Sequence, residues 1–188
     1  MNSASMGRAL NEFFQRKHLI IVPETYWTGY ECDLLIVTPE MRIIDVEIKI
    51  SRADFRKDYS KDKWFHHWDY DIDGEWNNRS QDLRRRRELP QRVWKHYFAI
   101  PKELWKPEMV DELPSKSCGV ILLSELGSKV FCECARKATP DKNAEKIGPE
   151  AAIDLGRLAS LRMWDALNNV HRMRKEHLEE ISRLKGQS

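Results

Sequence analysis

Residues 42 to 50, RIIDVEIKI, alternate aliphatic and charged side chains along their length, and a period of two makes a strand with one apolar face and one charged face. Ile44, Val46, Ile48 and Ile50 share the first, and Asp45, Glu47 and Lys49 the second. A short apolar run, DLLIV at 33 to 37, precedes it, and TPEMR at 38 to 42 supplies the connection of a hairpin. In that register the numbers of paired residues sum to about 80, which puts Asp33 opposite Glu47. Directly opposed residues face the same way, so Asp33, Glu47 and Lys49 converge, with Asp45 nearer the turn. Two readings stay open at this point. The charged face is simply the solvated side of an amphipathic hairpin, or it is a cation site made from paired carboxylates and a lysine.

The flanking sequence sets that hairpin in a mixed α/β chain without internal repeats. Residues 4 to 17 carry Met6, Leu10, Phe13 and Phe14 at helical spacing, with Ser3 or Ser5 as the cap. LIIV at 19 to 22 predicts a strand, and Ser51 predicts the cap of a second helix through RADFRKDYSKDKWF. HYFAI at 96 to 100 is a further strand stopped by Pro101, and CGVILL with KVFCEC around LGS makes a last hairpin. From Pro149 the pattern predicts one long helix. Its apolar stripe runs through Leu158, Leu161, Trp164, Leu167, Val170, Leu178, Ile181 and Leu184, interrupted by Arg174 and His177.

At 188 residues, 41% of them hydrophobic and seven of them tryptophan, the chain has material for one packed domain and an appended helix. A net charge of +2 leaves no strong global field, so attraction to a polyanion must come from a local patch. Residues 79 to 95 provide one, with seven Arg and Lys against Asp82 and Glu88, a balance of +5. The sequence has no long apolar span and no leader pattern, which predicts a cytoplasmic protein away from membranes. Cys32, Cys118, Cys132 and Cys134 lack the close pairing of zinc sites and read as small buried hydrophobes. Asp69, Asp71, Asp73 and Gly74 open like a calcium loop, but the twelfth position is Ser80 where a bidentate glutamate belongs.

Asp33 followed by Glu47-Ile48-Lys49, after an opening helix and before a second one, resembles the PD-(D/E)XK nuclease superfamily. The wider string DLLIV, VEIKISRADFRKD, KW, HYFAIPKELW and CGVILLSE to ARKATP, over about residues 28 to 140, is similar to MmcB-type DNA repair nucleases and related phage proteins. Cys32 stands where the proline of the motif belongs. The resemblance implies a restriction-endonuclease-like α/β core, αβββαβ, with a central mixed sheet flanked by helices. It also implies a nuclease-like domain over 1–148 and a helical extension over 149–188. Residues 66–95 depart from the shorter relatives as an insertion.

The implied chemistry is Mg²⁺-dependent hydrolysis of DNA phosphodiester bonds, with Mn²⁺ as a substitute, in DNA repair, recombination or phage DNA metabolism. Asp33, Glu47 and the backbone carbonyl of Ile48 would supply hard oxygen ligands. Lys49 would stabilise the attacking hydroxide and the scissile phosphate. The family pattern adds Glu12 on the first helix as a further metal ligand and Lys63 as a phosphate contact. Arg84, Arg85, Arg86, Arg87 and Arg92, interleaved with Trp68, Trp76 and Trp94, extend the expected nucleic-acid surface. Asp45 is expected to be a spectator on the same strand face. Two alternatives remain: a nucleic-acid-binding module whose nuclease site is vestigial, and an RNA-directed nuclease. Residues 151–185 either pair with a second copy of the chain or pack back on the domain.

Overall fold

Asn2 starts the first helix. Its side chain accepts the Ser5 amide at 2.9 Å while the Ser5 hydroxyl accepts the Asn2 amide at 3.1 Å, a reciprocal capping box that moves the cap one residue ahead of Ser3. The computed structural model describes residues 1–65 and 85–186. In chain order it contains α1 (Ser3–Phe14), β1 (Ile20–Thr25), β2 (Cys32–Val37), β3 (Ile43–Ile48), α2 (Arg52–Lys57), β4 (Lys95–Pro101), β5 (Gly119–Leu126), β6 (Lys129–Arg136) and α3 (Pro149–Gly186). The strands form one open mixed sheet in the order β1-β2-β3-β4-β5-β6. The first three run antiparallel, β3, β4 and β5 run parallel, and β6 returns antiparallel. Helices flank the sheet on both faces, as in a generic restriction-endonuclease-like arrangement.

The β2–β3 hairpin has the register that its alternation dictates: Leu34 pairs with Val46 and Leu35 with Asp45. Met41, at a φ of 61°, lets the turn close, and Thr38 bonds both Arg42 and Met41 through the backbone. Alternation then distributes the side chains. On one face Leu34, Ile36, Ile44, Val46, Ala99 and Ile121 pack under α1 through Met6, Leu10 and Phe14. On the other face two separate apolar clusters form. Phe55 and Trp64 cover Phe98, Ile100 and Val120 at the β4–β5 side, while Leu155 of α3 covers Val22, Leu35 and Val37 at the β1–β2 side. Between those clusters lies the charged face of β3.

Two sequence expectations change here. The second helix stops at Lys57 and continues as two 3-10 turns, Asp58–Ser60 and Asp62–Trp64, instead of running through Phe65. Residues 64–65 and 86–87 lie side by side: Phe65 bridges Arg86, and the Arg87 amide donates to the Trp64 carbonyl at 2.8 Å. Leu89 and Val93 are already buried in the core, so the fold resumes well before residue 95. The acidic loop residues Asp69, Asp71, Asp73 and Gly74, together with His66, His67, Trp68, Trp76 and Arg84, lie outside the described residues. Helix α3 packs on the sheet through Leu155 and then leaves it; every residue from Leu161 to Glu180 is exposed. Among the described residues no helix is long and apolar enough to cross a membrane.

Gly119 is the tightest contact in the sheet. It sits opposite Tyr97, and a Cβ there would lie 2.4 Å from two Tyr97 ring atoms and 2.7 Å from the Ala138 amide nitrogen. Backbone on one side and a buried ring on the other leave no room to relax. Gly119→Ala should therefore lose about 1–3 kcal/mol, read as a lower urea midpoint at unchanged slope.

Candidate functional site

The charged face of β3 is not wet. Asp45, Glu47 and Lys49 are all buried, and Lys49 retains only 2% of its exposure. Isolated charges cannot stay in such a place, so each must be matched. The partners come from the segment after α2. Ser51 caps that helix by accepting the Asp54 amide, and the chain then tightens into the 3-10 turns and folds back over the strand. This brings Asp58, Lys61, Lys63 and Trp64 against β3.

Glu47 is the hub. Its Oε1 accepts from Lys63 Nζ at 2.5 Å, and its Oε2 accepts from Lys49 at 3.0 Å and from Lys61 at 3.4 Å. Asp58, fully buried, pairs with Lys49 at 2.8 Å and Lys61 at 2.7 Å through Oδ1, and its Oδ2 accepts the Trp64 indole N–H at 3.2 Å. Asp45 and His96 are neighbours in the β3–β4 register, and their Oδ2 and Nδ1 lie 2.9 Å apart. Lys63 completes the link at 3.8 Å from Asp45. Trp64 stands edge-on to His96, with ring centroids 4.9 Å apart, and seals this side of the cluster. Asp45 Oδ1 and His96 Nε2 are buried and take no hydrogen bond from any described residue.

Asp33 approaches from β2. Its Oδ2 accepts the Ile48 amide at 2.7 Å, so a side chain replaces the main-chain partner where the β2–β3 ladder ends. Burial, and then the charge of Glu47, push its carboxyl up to about 6, against the opposing pull of the Ile48 amide, Lys49 and Lys61. The other groups move the opposite way. Burial disfavours charge on Asp58, yet Lys63 and Lys49 outweigh it and hold the carboxyl below its ordinary range. Asp45 is lowered too, with Lys63 and His96 overcoming burial. Lys49 and Lys63 are held above the ordinary lysine value, because their carboxylate neighbours more than offset burial.

Several expected roles are altered by this geometry. Asp45 is buried, hydrogen-bonded to His96 and ion-paired with Lys63. Lys63, at 2% exposure, belongs to the buried network through Glu47 and Asp45 and also lines the cleft beside it. Glu12 is exposed on α1, which covers the opposite face of the sheet, and its charge is felt by Cys132 of β6. Arg86 donates to the carbonyls of Pro114 and Tyr59 and stacks over the Tyr59 ring at 3.5 Å, and Arg87 donates to the Phe65 carbonyl. Those two arginines fasten the base of the insertion. Arg85 and Arg92 remain exposed, Arg92 lying 5.6 Å over the Trp27 ring. All four cysteines are free, and burial pushes the Cys118 thiol up to about 12.

Four carboxylates, Asp33, Asp45, Glu47 and Asp58, stand around three ammoniums, Lys49, Lys61 and Lys63. Among the described residues no group of three or more His, Cys, Asp or Glu side chains is gathered as a metal site, because the carboxylates turn to lysines instead of to one another. Beside the network opens a cleft of about 440 Å³ lined by Tyr30, Glu31, Ser60, Lys61, Asp62 and Lys63.

Comparison with known proteins gives the fold alone. No family model matches the chain, and no curated protein does. A solved structure of a protein of unknown function from Silicibacter pomeroyi is similar, with a TM-score of 0.53 and 19% identity over 91% of this chain and 92% of that one. The shared architecture thus extends over nearly the whole length of both proteins.

Asp58 and Lys61 entered the site without a sequence signal of the usual kind. Their run of alternating charges reads as an exposed helix face. The feature that sets this run apart is Trp64 at its end, which is fully buried.

The raised Asp33 carboxyl gives a signed pH dependence. The folded state holds that proton more tightly than the unfolded state, so Asp33 contributes most below about pH 4 and this contribution is lost as pH rises to about 6. In metal-free buffer Asp33→Asn should match the parent near pH 4 and exceed it by about 1–2 kcal/mol at pH 7, after discounting for partial exposure. Urea denaturation across that range measures it, and equal stability at pH 7 would contradict the assignment.

Proposed function

We propose that this protein is a Mg²⁺-dependent nuclease of the PD-(D/E)XK type, acting on DNA. The observation that carries the reading is the meeting of Asp33, Glu47 and Lys49 at the carboxyl end of β3, beside an open polar cleft. In open α/β sheets that end of the strands is where ligands bind. Asp33, Glu47 and the Ile48 carbonyl would hold the ion, which supplies an acidified water and neutralises charge building on the phosphate. Lys49, fixed between Glu47 and Asp58, presents a single positioned positive charge to the reacting phosphate. Exposed Arg85 and Arg92, with Arg84 of the insertion, are left to contact the nucleic-acid backbone. The four free thiols suit a cytoplasmic setting.

A second reading draws on the lysines that engage both oxygens of Glu47: a nucleic-acid-binding module whose nuclease site is vestigial. Cleavage assays separate the two. With supercoiled, linear and single-stranded DNA in Mg²⁺, the parent should cleave, while Asp33→Ala and Glu47→Ala should lose cleavage and metal affinity together. Lys49→Met should keep the metal and lose about a hundredfold or more in rate. Glu12→Ala should be fully active, and circular dichroism confirms each fold. Parallel assays with RNA decide the polynucleotide, and a folded parent inert on every substrate would favour the binding module.

The long exposed face of α3 is the surface offered to a second copy of the chain. Leu161, Trp164, Leu167 and Val170 line it without cover from the sheet. Sedimentation should show a dimer that dissociates in Trp164→Glu/Leu167→Glu, and a monomer at all concentrations would remove this role.

A further inference from the structure

Helix α1 stops at Phe14, and the chain turns back through Lys17 and His18 towards β1. Beyond the helix end a pocket of about 530 Å³ opens on the face of the sheet opposite Glu47. That volume lies within the about 300–1,000 Å³ of small-molecule sites. Its floor is apolar, made of the buried Ile44, Tyr97, Ile121 and Ala138. Its walls are aromatic. Phe13, 40% exposed, stands edge-on to Phe14 with ring centroids 5.0 Å apart, and Trp94 joins them from the segment before β4. Two polar groups among the lining residues have bonding capacity left. His18 Nδ1 lies 2.9 Å from the Phe14 carbonyl; a carbonyl only accepts, so Nδ1 carries the hydrogen and Nε2 of the neutral ring is left to accept. Thr38 Oγ1 accepts the Arg42 amide at 3.2 Å, and its own hydrogen has no acceptor among the described residues.

Three ammoniums complete the lining. Lys17 and Lys137 are exposed, and Lys95 is half-buried with its ammonium 4.2 Å over the Trp94 ring. None of the three is ion-paired with a described residue, and Glu40 is the one carboxylate among the lining residues, which leaves a balance of +2. A phosphate monoester carries about −1.5 to −2 near neutral pH, and a lysine ammonium, a point charge with rotatable donors, can meet it from any side. An apolar floor with aromatic walls takes a flat ring. A ring that also satisfies His18 and Thr38 must bring both a donor and an acceptor, which a nucleobase does and a hydrocarbon ring does not. We infer that this pocket binds a nucleoside monophosphate, free or at the end of a polynucleotide strand, with the base against Phe13 and Phe14 and the phosphate among Lys17, Lys95 and Lys137. The site is on the other side of the sheet from Glu47 and does not rest on the metal-dependent reading.

The test is calorimetry of the full-length protein in metal-free buffer with each of the four deoxynucleoside 5′-monophosphates. At least one should bind one-to-one with a Kd below about 1 mM. The matching deoxynucleoside and inorganic phosphate should each bind about tenfold or more weakly, since each fills only part of the site. Lys95→Met/Lys137→Met should lose about tenfold or more in nucleotide affinity, whereas Lys95→Arg/Lys137→Arg, which keeps both charges, should stay within about threefold of the parent. Phe13→Ala should lose about fivefold or more through the missing stack. Lys137→Met alone changes one exposed side chain and should still weaken binding about threefold, so the test survives if the double variant does not fold. Lys61→Met, in the cleft on the other face, should change affinity by less than about twofold. Short single strands with and without a 5′-phosphate assign the source. Tighter binding of the phosphorylated strand, lost in Lys95→Met/Lys137→Met, identifies a strand end, and binding of the mononucleotide alone identifies a free nucleotide. No binding by any of the four, inorganic phosphate binding as tightly as the nucleotide, or equal affinity of the parent and the two lysine-to-methionine variants would overturn the proposal. A loss in Lys61→Met instead would put the nucleotide in the cleft beside Glu47 and remove this site.

Discussion

Glu47 and the lysines around it set the terms for the rest of the molecule. A carboxylate buried in the middle of a sheet costs several kcal/mol unless cations come to it, and β3 supplies only Lys49. The remaining counter-charges must be carried in by another segment, and the stretch after α2 does this by abandoning helical geometry. A regular helix through Phe65 would spread Asp58, Lys61, Lys63 and Trp64 around its circumference. The two 3-10 turns put Asp58 and Lys63 beside Glu47 and Trp64 above them. Local propensity yields to buried electrostatics there. The same requirement explains why the apolar packing on this face is divided in two: the ion cluster occupies the ground between the Phe98 and Leu35 clusters.

Much of the framework was legible in the sequence because its causes are local. The period of two in RIIDVEIKI and the length of TPEMR determine the register, so the approach of Asp33 to the end of β3 follows from counting. Alternation could say that Asp45, Glu47 and Lys49 share a face, but not whether that face is wet. Its burial depends on contacts from residues far away in the chain, such as His96 on a parallel strand. Parallel pairing leaves no turn signature, and no spacing rule connects Asp45 to a histidine 51 residues on. The cap of α1 was misplaced for a plainer reason: Asn2, Ser3 and Ser5 are all competent caps, and only the reciprocal bond between Asn2 and Ser5 chooses among them.

The arginine run carries structural bonds as well as charge. Seven basic residues between 79 and 95 look like a phosphate-binding surface, yet the guanidiniums of Arg86 and Arg87 donate to main-chain carbonyls. A guanidinium presents several donors in a planar fork, and a carbonyl stranded where a chain segment departs is as good an acceptor for it as a phosphate. Arg86 is further held between the Tyr59 and Phe65 rings. Position in the fold decides the role. Arg86 and Arg87 tie their own segment to the carbonyls of Pro114, Tyr59 and Phe65, whereas Arg85 and Arg92 are exposed.

A network of this kind is a poor way to stabilise a protein and a good way to fix the positions of charges. Apolar residues of similar volume would fill the same space without the desolvation cost, and they would not leave Asp33 with a carboxyl that resists ionisation or Asp45 Oδ1 without a hydrogen-bond donor among the described residues. The expenditure is concentrated at one end of β3, next to a cleft, while the sheet elsewhere is packed with aliphatic and aromatic side chains. Ionisable groups shifted by burial and held by specific partners mark working sites more often than structural ones. Lys49 illustrates the point: pinned by Glu47 and Asp58, it loses the rotamer freedom that makes a surface lysine an imprecise charge, and it keeps its proton. On the nuclease reading proposed above, a charge acting on a phosphate from one defined direction would need both properties, and the buried carboxylates around Lys49 supply them together.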